Sequence, residues 1–315
     1  MPQITVTGVT FTGGGVSFVA SPLPNQQAIF GYGLTFSGTT QVLSTTNKVS
    51  NTGVVATDTA GVGTARYDVA ASTYGSGLGI FGYGQTLTVI VGMTNLVTNT
   101  GVVGNDVTAV GTNRIAPAGA GYGGNKGIFG YGQPGSATNI TNLISDTGVV
   151  GNDVTGVGTA RYNLGAATYG YDKAIFGFGF TGGAFVGVTN LVSNTGVVAT
   201  DTTAVGTGRY GVSGAGYGED KAIFGFGYNG SVNTSITNLV SNTGVVASDV
   251  TSVGTAKRMG GSATYGYDKA IFAYGVTSVY ISLSNLVTNT GVLGNDVTGV
   301  GTARGQLAAT SYGVA

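Results

Sequence analysis

A five-residue phrase, Ile29-Phe30-Gly31-Tyr32-Gly33, recurs five more times along this chain, and its spacing constrains the fold more than any other feature. It returns at Ile80, Ile128, Ile175, Ile223 and, as Ile271-Phe272-Ala273-Tyr274-Gly275, at Ile271, in steps of 51, 48, 47, 48 and 48 residues. Two further markers keep phase with it. Asn51-Thr52-Gly53-Val54-Val55 comes back at Asn99, Asp146, Asn194, Asn242 and Asn289. An arginine recurs as Arg66, Arg114, Arg161, Arg209 and Arg304, with Arg258 of the pair Lys257-Arg258 standing for it in the fifth copy. A period of this length marks stacked supersecondary units, none of which buries its apolar face alone.

Each unit reads as four short strands. In the fourth copy they are residues 164–169, 173–178, 188–193 and 196–200, separated by Gly170-Tyr171-Asp172, a variable insert and Asn194-Thr195-Gly196. Gly and Asn accept positive φ, and Asp and Asn bond their own backbone, so these separators are turns. No 3.6-residue apolar period runs for three turns, which excludes a helical reading. Four short strands in about 48 residues make one propeller blade. The prediction is an all-β fold: a six-bladed β-propeller of four-stranded antiparallel blades at 16–315, preceded by an extension or docking arm at 1–15. A solenoid would need polar caps at its ends, and none is visible. Strict alternation puts Ile175, Gly177 and Gly179 on one face and Phe176 and Phe178 on the other. Aromatics of one blade are therefore expected over glycines of the next. The first-strand pattern appears a seventh time, at 307–312, where it is expected to complete blade one. Residues 16–21 compete for that place.

Composition narrows the chemistry. Charged residues make up 8% of the chain, against roughly 25% in ordinary domains. No apolar run approaches the ~18 residues of a spanning helix, so no membrane insertion is expected. Net charge is zero, and no basic stripe is present to neutralise phosphates, so nucleic acid is not an expected partner. The amino terminus has neither a basic nor an apolar signal region, and no secretion is expected. There is no cysteine and no histidine, which excludes disulfides, the common zinc sites and nucleophile–histidine hydrolases. Glu219 is the only glutamate, so no glutamate pair serves a glycosidase. The Gly-Tyr-Gly phrases are not phosphate cradles, which need a following helix.

Asp58, Asp106, Asp153, Asp201, Asp249 and Asp296 share one repeat position. They read either as a ring of calcium or sugar ligands, or as turn closure and partners for the repeated arginine. The second is expected, because a residue present in every copy belongs to the blade. No catalytic residue, metal or cofactor is expected. What differs between copies is the insert after the second strand, at 34–41, 85–92, 133–138, 180–187, 228–235 and 276–282. Loops on a rigid scaffold are where binding is usually placed. Phe180, Tyr228, Asn229 and Tyr280 are the candidate contact residues, against the alternative that these side chains fold onto their own hairpins.

The repeat length, the strand order, the arginine before a small-residue first strand (Thr159-Ala160-Arg161-Tyr162) and Ile-Phe-Gly-Tyr-Gly at a strand end together resemble the kelch-repeat family over about residues 16–315. The diglycine and the tryptophan of that family are missing. Kelch-like copper oxidation needs histidine and cysteine, so the resemblance does not carry that chemistry. The low-charge wording, with Thr-Asn-Leu-Val-Ser-Asn-Thr-Gly-Val-Val at its centre, is similar to kelch-type proteins of bacteriophages. That resemblance implies a non-enzymatic virion protein of tail, fibre or baseplate. It would be made in the host cytoplasm as part of a multimeric assembly, with other virion proteins and a host-surface glycan or receptor as partners. The alternatives are a lectin-like or protein-binding propeller of cellular origin and, more remotely, a propeller hydrolase or lyase.

Overall fold

The structure is a computed structural model that describes residues 9–12, 15–18 and 26–313. Val9–Thr12 and Gly15–Phe18 pair as a two-stranded hairpin. The rest of the expected 1–15 arm, and residues 19–21 of the competing closing segment, lie outside the described residues. The first sheet is completed by the C-terminal strand Ala308–Tyr312, which pairs antiparallel with Gln27–Ser37.

All regular structure is β. Six antiparallel sheets follow one another along the chain, four of three strands and two of four. The second sheet, Ala70–Tyr74, Leu78–Gly82 and Thr94–Val97, is typical. The predicted fourth strand is continuous only in the fifth and sixth sheets; elsewhere it shrinks to single bridges such as Val97↔Val103 and Thr94↔Val107. In every copy, the fifth and sixth included, a side chain is wedged into this ladder. Asn95 Nδ2 donates to the carbonyl of Gly104 (3.0 Å) and to Asp106 Oδ1 (2.9 Å), where strand-to-strand bonds would otherwise run.

The innermost strands pack in order around a circle. Ala308–Tyr312 lies against Ala70–Tyr74, the succession continues through the other sheets, and Gly261–Tyr265 lies against Ala308–Tyr312 again. Three circular belts of backbone hydrogen bonds link sheet to sheet. At one end of the inner strands Ala116 N donates to Asp68 O, Asn163 to Ala116, Gly211 to Asn163, Met259 to Gly211, Gln306 to Met259 and Asp68 to Gln306, all within 2.8–3.1 Å. All six belt residues have positive φ, 50–66°, which turns each N–H sideways to its neighbour. At the other end a second belt runs from Gly75 N→Asn125 O round to Gly313 N→Gly77 O. A third joins Gly33 N to Arg66 O and closes with Gly275 N to Arg304 O.

Glycines do receive the next sheet's aromatics: a Cβ on Gly31 would lie 2.8 Å from the ring tip of Phe81. The two aromatics of each phrase, however, do not share a face. Phe30 packs on Tyr274 of the sixth sheet and Tyr32 on Phe81 of the second, with centroids 5.3 and 5.2 Å apart. Tyr32 has φ 67° and the register shifts between Gly31 and Gly33. The bulge flips this one side chain to the opposite side, which simple alternation does not anticipate.

The repeated arginine is fully buried. Arg66 Nε donates to Tyr83 O (2.9 Å), Nη1 to Thr64 O (3.2 Å) and Nη2 to Asn95 Oδ1 (2.6 Å). Its plane covers the Tyr32 ring of the preceding sheet at 4.1 Å. Asn95 hands the connection on to Asp106, whose carboxylate also takes the N–H and hydroxyl of Thr64 and lies 3.8 Å from Arg66. Burial pushes the Asp106 carboxyl up, but the bonds from Thr64 and Asn95 outweigh it and hold the group below the usual carboxylate range. The same set recurs at Asp58, where Thr302 and Arg304 bring the end of the chain to the first sheet. The aspartates are thus parts of the frame.

The fifth copy corrects the reading of Arg258. The side chain in the buried socket is Lys257, which is 1% exposed, donates to Asn285 Oδ1 (2.7 Å) and lies over Phe226. Sequence phase puts 257, not 258, 48 residues after Arg209. Burial lowers the Lys257 ammonium to about 8 against the raising effect of Asp296. Arginine at 257 would meet two further acceptors, the carbonyls of Thr255 and Tyr274, by the pattern of the other copies. Below pH 8 the lysine is charged in folded and unfolded chains alike, and its burial cost is complete. Between about 8 and 10.5 the folded chain releases the proton first, so stability rises with pH. Lys257→Arg is therefore expected to be more stable than wild type at pH 7, by about 1–2 kcal/mol. That advantage should shrink as the pH of thermal melts is raised to 9.5; a lower melting temperature at pH 7 contradicts the socket. Truncation after Gly305 removes the closing strand and a member of the first belt. It should cost about 4 kcal/mol or more in chemical denaturation, and an unchanged midpoint would reject closure by this strand.

Candidate binding face

Each inner strand leaves the arginine end, and the second strand returns to it. This places the six inserts and the Asp68 belt on one face. The residue after each repeat arginine bridges the first residue of the insert: Tyr67↔Gln85, Ile115↔Gln133, Tyr162↔Phe180, Tyr210↔Tyr228, Arg258↔Val276 and Gly305↔Leu34. The variable surface is therefore drawn from two stretches per copy, of which the inserts are only one.

Phe180 stacks on Phe185 of its own insert (4.8 Å) and reaches Tyr162 (5.7 Å) and Tyr210 (6.1 Å). Phe185 lies nearly parallel to Tyr210 at 5.7 Å, and Tyr210 meets Tyr228 edge-on at 5.7 Å. The Arg258 guanidinium sits 5.1 Å over Tyr228 and donates to Asn233 Oδ1 (2.7 Å). Its Nε is buried without a partner. The result is a half-buried aromatic seam across the fourth, fifth and sixth sheets, ending on a cation. Phe180 and Tyr228 lie in the seam and pack across sheets as well as on their own inserts. Asn229 has a turn role: its Oδ1 accepts from Ser231 N and Val232 N, both at 2.9 Å. Tyr280 stands apart on the sixth sheet, half-buried. Its phenol is raised by burial and by Asp68, and lowered by Arg258.

Sequence reasoning missed Tyr162, Phe185 and Tyr210 in the seam, and the six buried asparagines Asn47, Asn95, Asn142, Asn190, Asn238 and Asn285. The asparagines carried a signal, an Asn in every third strand, followed by Leu in five copies and by Lys48 in the first. The tyrosines carried one too, since the position after the arginine is the most variable of an otherwise constant phrase.

At the axis, the belt residues Asp68, Ala116, Asn163, Gly211, Met259 and Gln306 line a small recess with one contribution from every copy. Asp68 is the only carboxylate among them. Gln306 Nε2 donates to it at 3.0 Å, and Gln85 Nε2 approaches at 3.5 Å. Burial raises the Asp68 carboxyl to about 6, against the lowering effect of these two amides. Among the described residues no group of three His, Cys, Asp or Glu side chains could hold a metal ion, and no helix is long and apolar enough to cross a membrane.

No protein-family model and no curated protein matches this chain.

Asp68 contributes stability that is complete below 3.8 and is lost as pH rises through about 6. Asp68→Asn keeps an acceptor for Gln306 and removes the buried charge. It should stabilise the protein at pH 7.5 by about 2–3 kcal/mol, with the gain fading as pH falls from about 6 towards 4. Denaturation curves at several pH values check this, and a pH-independent difference would show that the carboxyl is not ionising in place.

Proposed function

We propose that the six sheets are the blades of a six-bladed β-propeller that works by binding, as a non-enzymatic structural component of a bacteriophage virion. The propeller reading is supported by the circular succession of inner strands and by the three backbone belts. The virion reading is supported by the kelch-like, phage-like wording of the repeat. The observation that carries a binding role is the division of labour within each copy. Arginine, asparagine and aspartate recur as frame, while the residues that differ gather on one face as an aromatic seam with a terminal cation. Half-buried Tyr, Phe and Arg are the residue types that anchor protein interfaces. A neighbouring virion protein would cover the seam and meet Arg258 with a carboxylate or carbonyl.

The test is quantitative mass spectrometry of virus-sized particles purified from the source on density gradients. The protein should band with them at a fixed ratio to the other particle proteins through repeated salt washes. Particles assembled with the Tyr210→Ala/Tyr228→Ala variant should lose at least tenfold of it. Recovery of the protein only at the top of the gradient would remove the virion reading.

A further inference from the structure

The opposite end of the axis holds a larger cavity, of about 220 Å³, at the mouth where the inner strands finish. At roughly 30 Å³ per water, that is the space of about seven waters, the scale of one sugar ring. Five tyrosines line it: Tyr74, Tyr122 and Tyr312 are buried in the fold, while Tyr171 and Tyr267 are 65% and 42% exposed. These two occupy the second position of the turn after the inner strand, and both have positive φ, 68° and 75°. Bulky L-residues adopt that conformation rarely. The same turn position holds Ser76 and Gly124 in the second and third sheets, so the frame itself does not require an aromatic there. Neither phenol hydroxyl has a hydrogen-bond partner among the described residues. The positive φ belongs to the turn, since Gly124 and Glu219 adopt it at the same position (77° and 69°), but the two rings are left exposed and their hydroxyls unbonded within the fold, so both aromatic faces are open to a ligand.

The rest of the lining is neutral and polar. Thr73 and Asn125 offer a hydroxyl and a carboxamide with no side-chain hydrogen bonds among the described residues. Gln26 accepts from Tyr267 N through Oε1 at 3.0 Å, which leaves its amide N–H groups for a ligand. Lys126 is the one charged residue in the lining, and no carboxylate is present. Exposed aromatic faces beside neutral donors and acceptors suit a ligand with apolar C–H faces and many hydroxyls. We propose that this mouth binds a neutral saccharide, stacked against Tyr171 or Tyr267 and held by Asn125, Gln26 and Thr73. The site is on the face away from the aromatic seam, so a chain docked through the seam keeps it open.

The test is a printed panel of neutral and sialylated oligosaccharides, followed by titration calorimetry of the full chain with the neutral ones. At least one neutral saccharide should bind. Tyr171→Ala or Tyr267→Ala, whichever removes the stacking ring, should weaken it tenfold or more, while the matching Tyr171→Phe or Tyr267→Phe retains it. The double variant Tyr171→Gly/Tyr267→Gly should abolish binding with an unchanged or raised melting temperature, because glycine relaxes the turn. Phe180→Ala/Tyr228→Ala, on the other face, should leave binding intact. No neutral saccharide bound at millimolar concentration, binding confined to the sialylated members, or binding that survives the double glycine variant would overturn the assignment. None of these results bears on whether the protein bands with particles.

Discussion

The buried guanidinium is the interaction on which the frame depends. In five copies it satisfies two carbonyls and an asparagine of its own sheet and lays its face on the aromatic ring of the preceding one. Intra-sheet and inter-sheet cohesion therefore meet in one side chain. A buried charge of this kind is tolerated only when every donor is placed and an opposite charge is near. The asparagine is what makes that possible. It accepts from the arginine and donates to the aspartate, so in four of these copies a carboxylate 3.8–4.0 Å away neutralises the cation without being drawn into the dry interior. The fifth copy shows how far the motif can be degraded: a lysine fills the same place with one hydrogen bond to asparagine in place of three to the sheet.

Much of this was legible in the sequence, because repetition multiplies weak signals. The phase of the repeat, the second and third strands and the C-terminal strand all follow from phrases that recur. What was not legible depends on single torsions and single side chains. Tyr32 and its equivalents leave the alternation because of positive φ, which no residue pattern announces for a tyrosine. The fourth strand shrinks to single bridges in four of the six sheets although its residues repeat with the rest. Arg258 was assigned by residue type, when the 48-residue step pointed to Lys257. Among the candidate contact residues, the inserts were correctly singled out as variable, but the seam exists only because the chain brings Tyr162 and Tyr210 alongside them.

The two faces differ in how they break the pattern. On the insert face the departures are side chains that pack against each other across three sheets. At the opposite mouth they are two tyrosines that pack against little and sit in an unfavourable backbone conformation. The frame between them changes hardly at all, since each glycine under an aromatic ring and each belt residue is constrained by a neighbour on either side. Variation is thereby pushed to the two ends of the axis.

The partner strand that completes the first sheet is far away in the chain. Tyr312 bonds Gln27, 285 residues distant, and Arg304 bonds Tyr32 across 272. Until that strand arrives, the chain is an open arc in which Gln27–Ser37 presents a bare strand edge with an apolar face. Contacts of such long separation form late and slowly. A waiting edge is a template for any matching strand, and the matching strand is carried by every other copy of the chain. Intramolecular closure and exchange between molecules therefore compete for one and the same edge, and concentration during folding decides between closed single chains and linked ones.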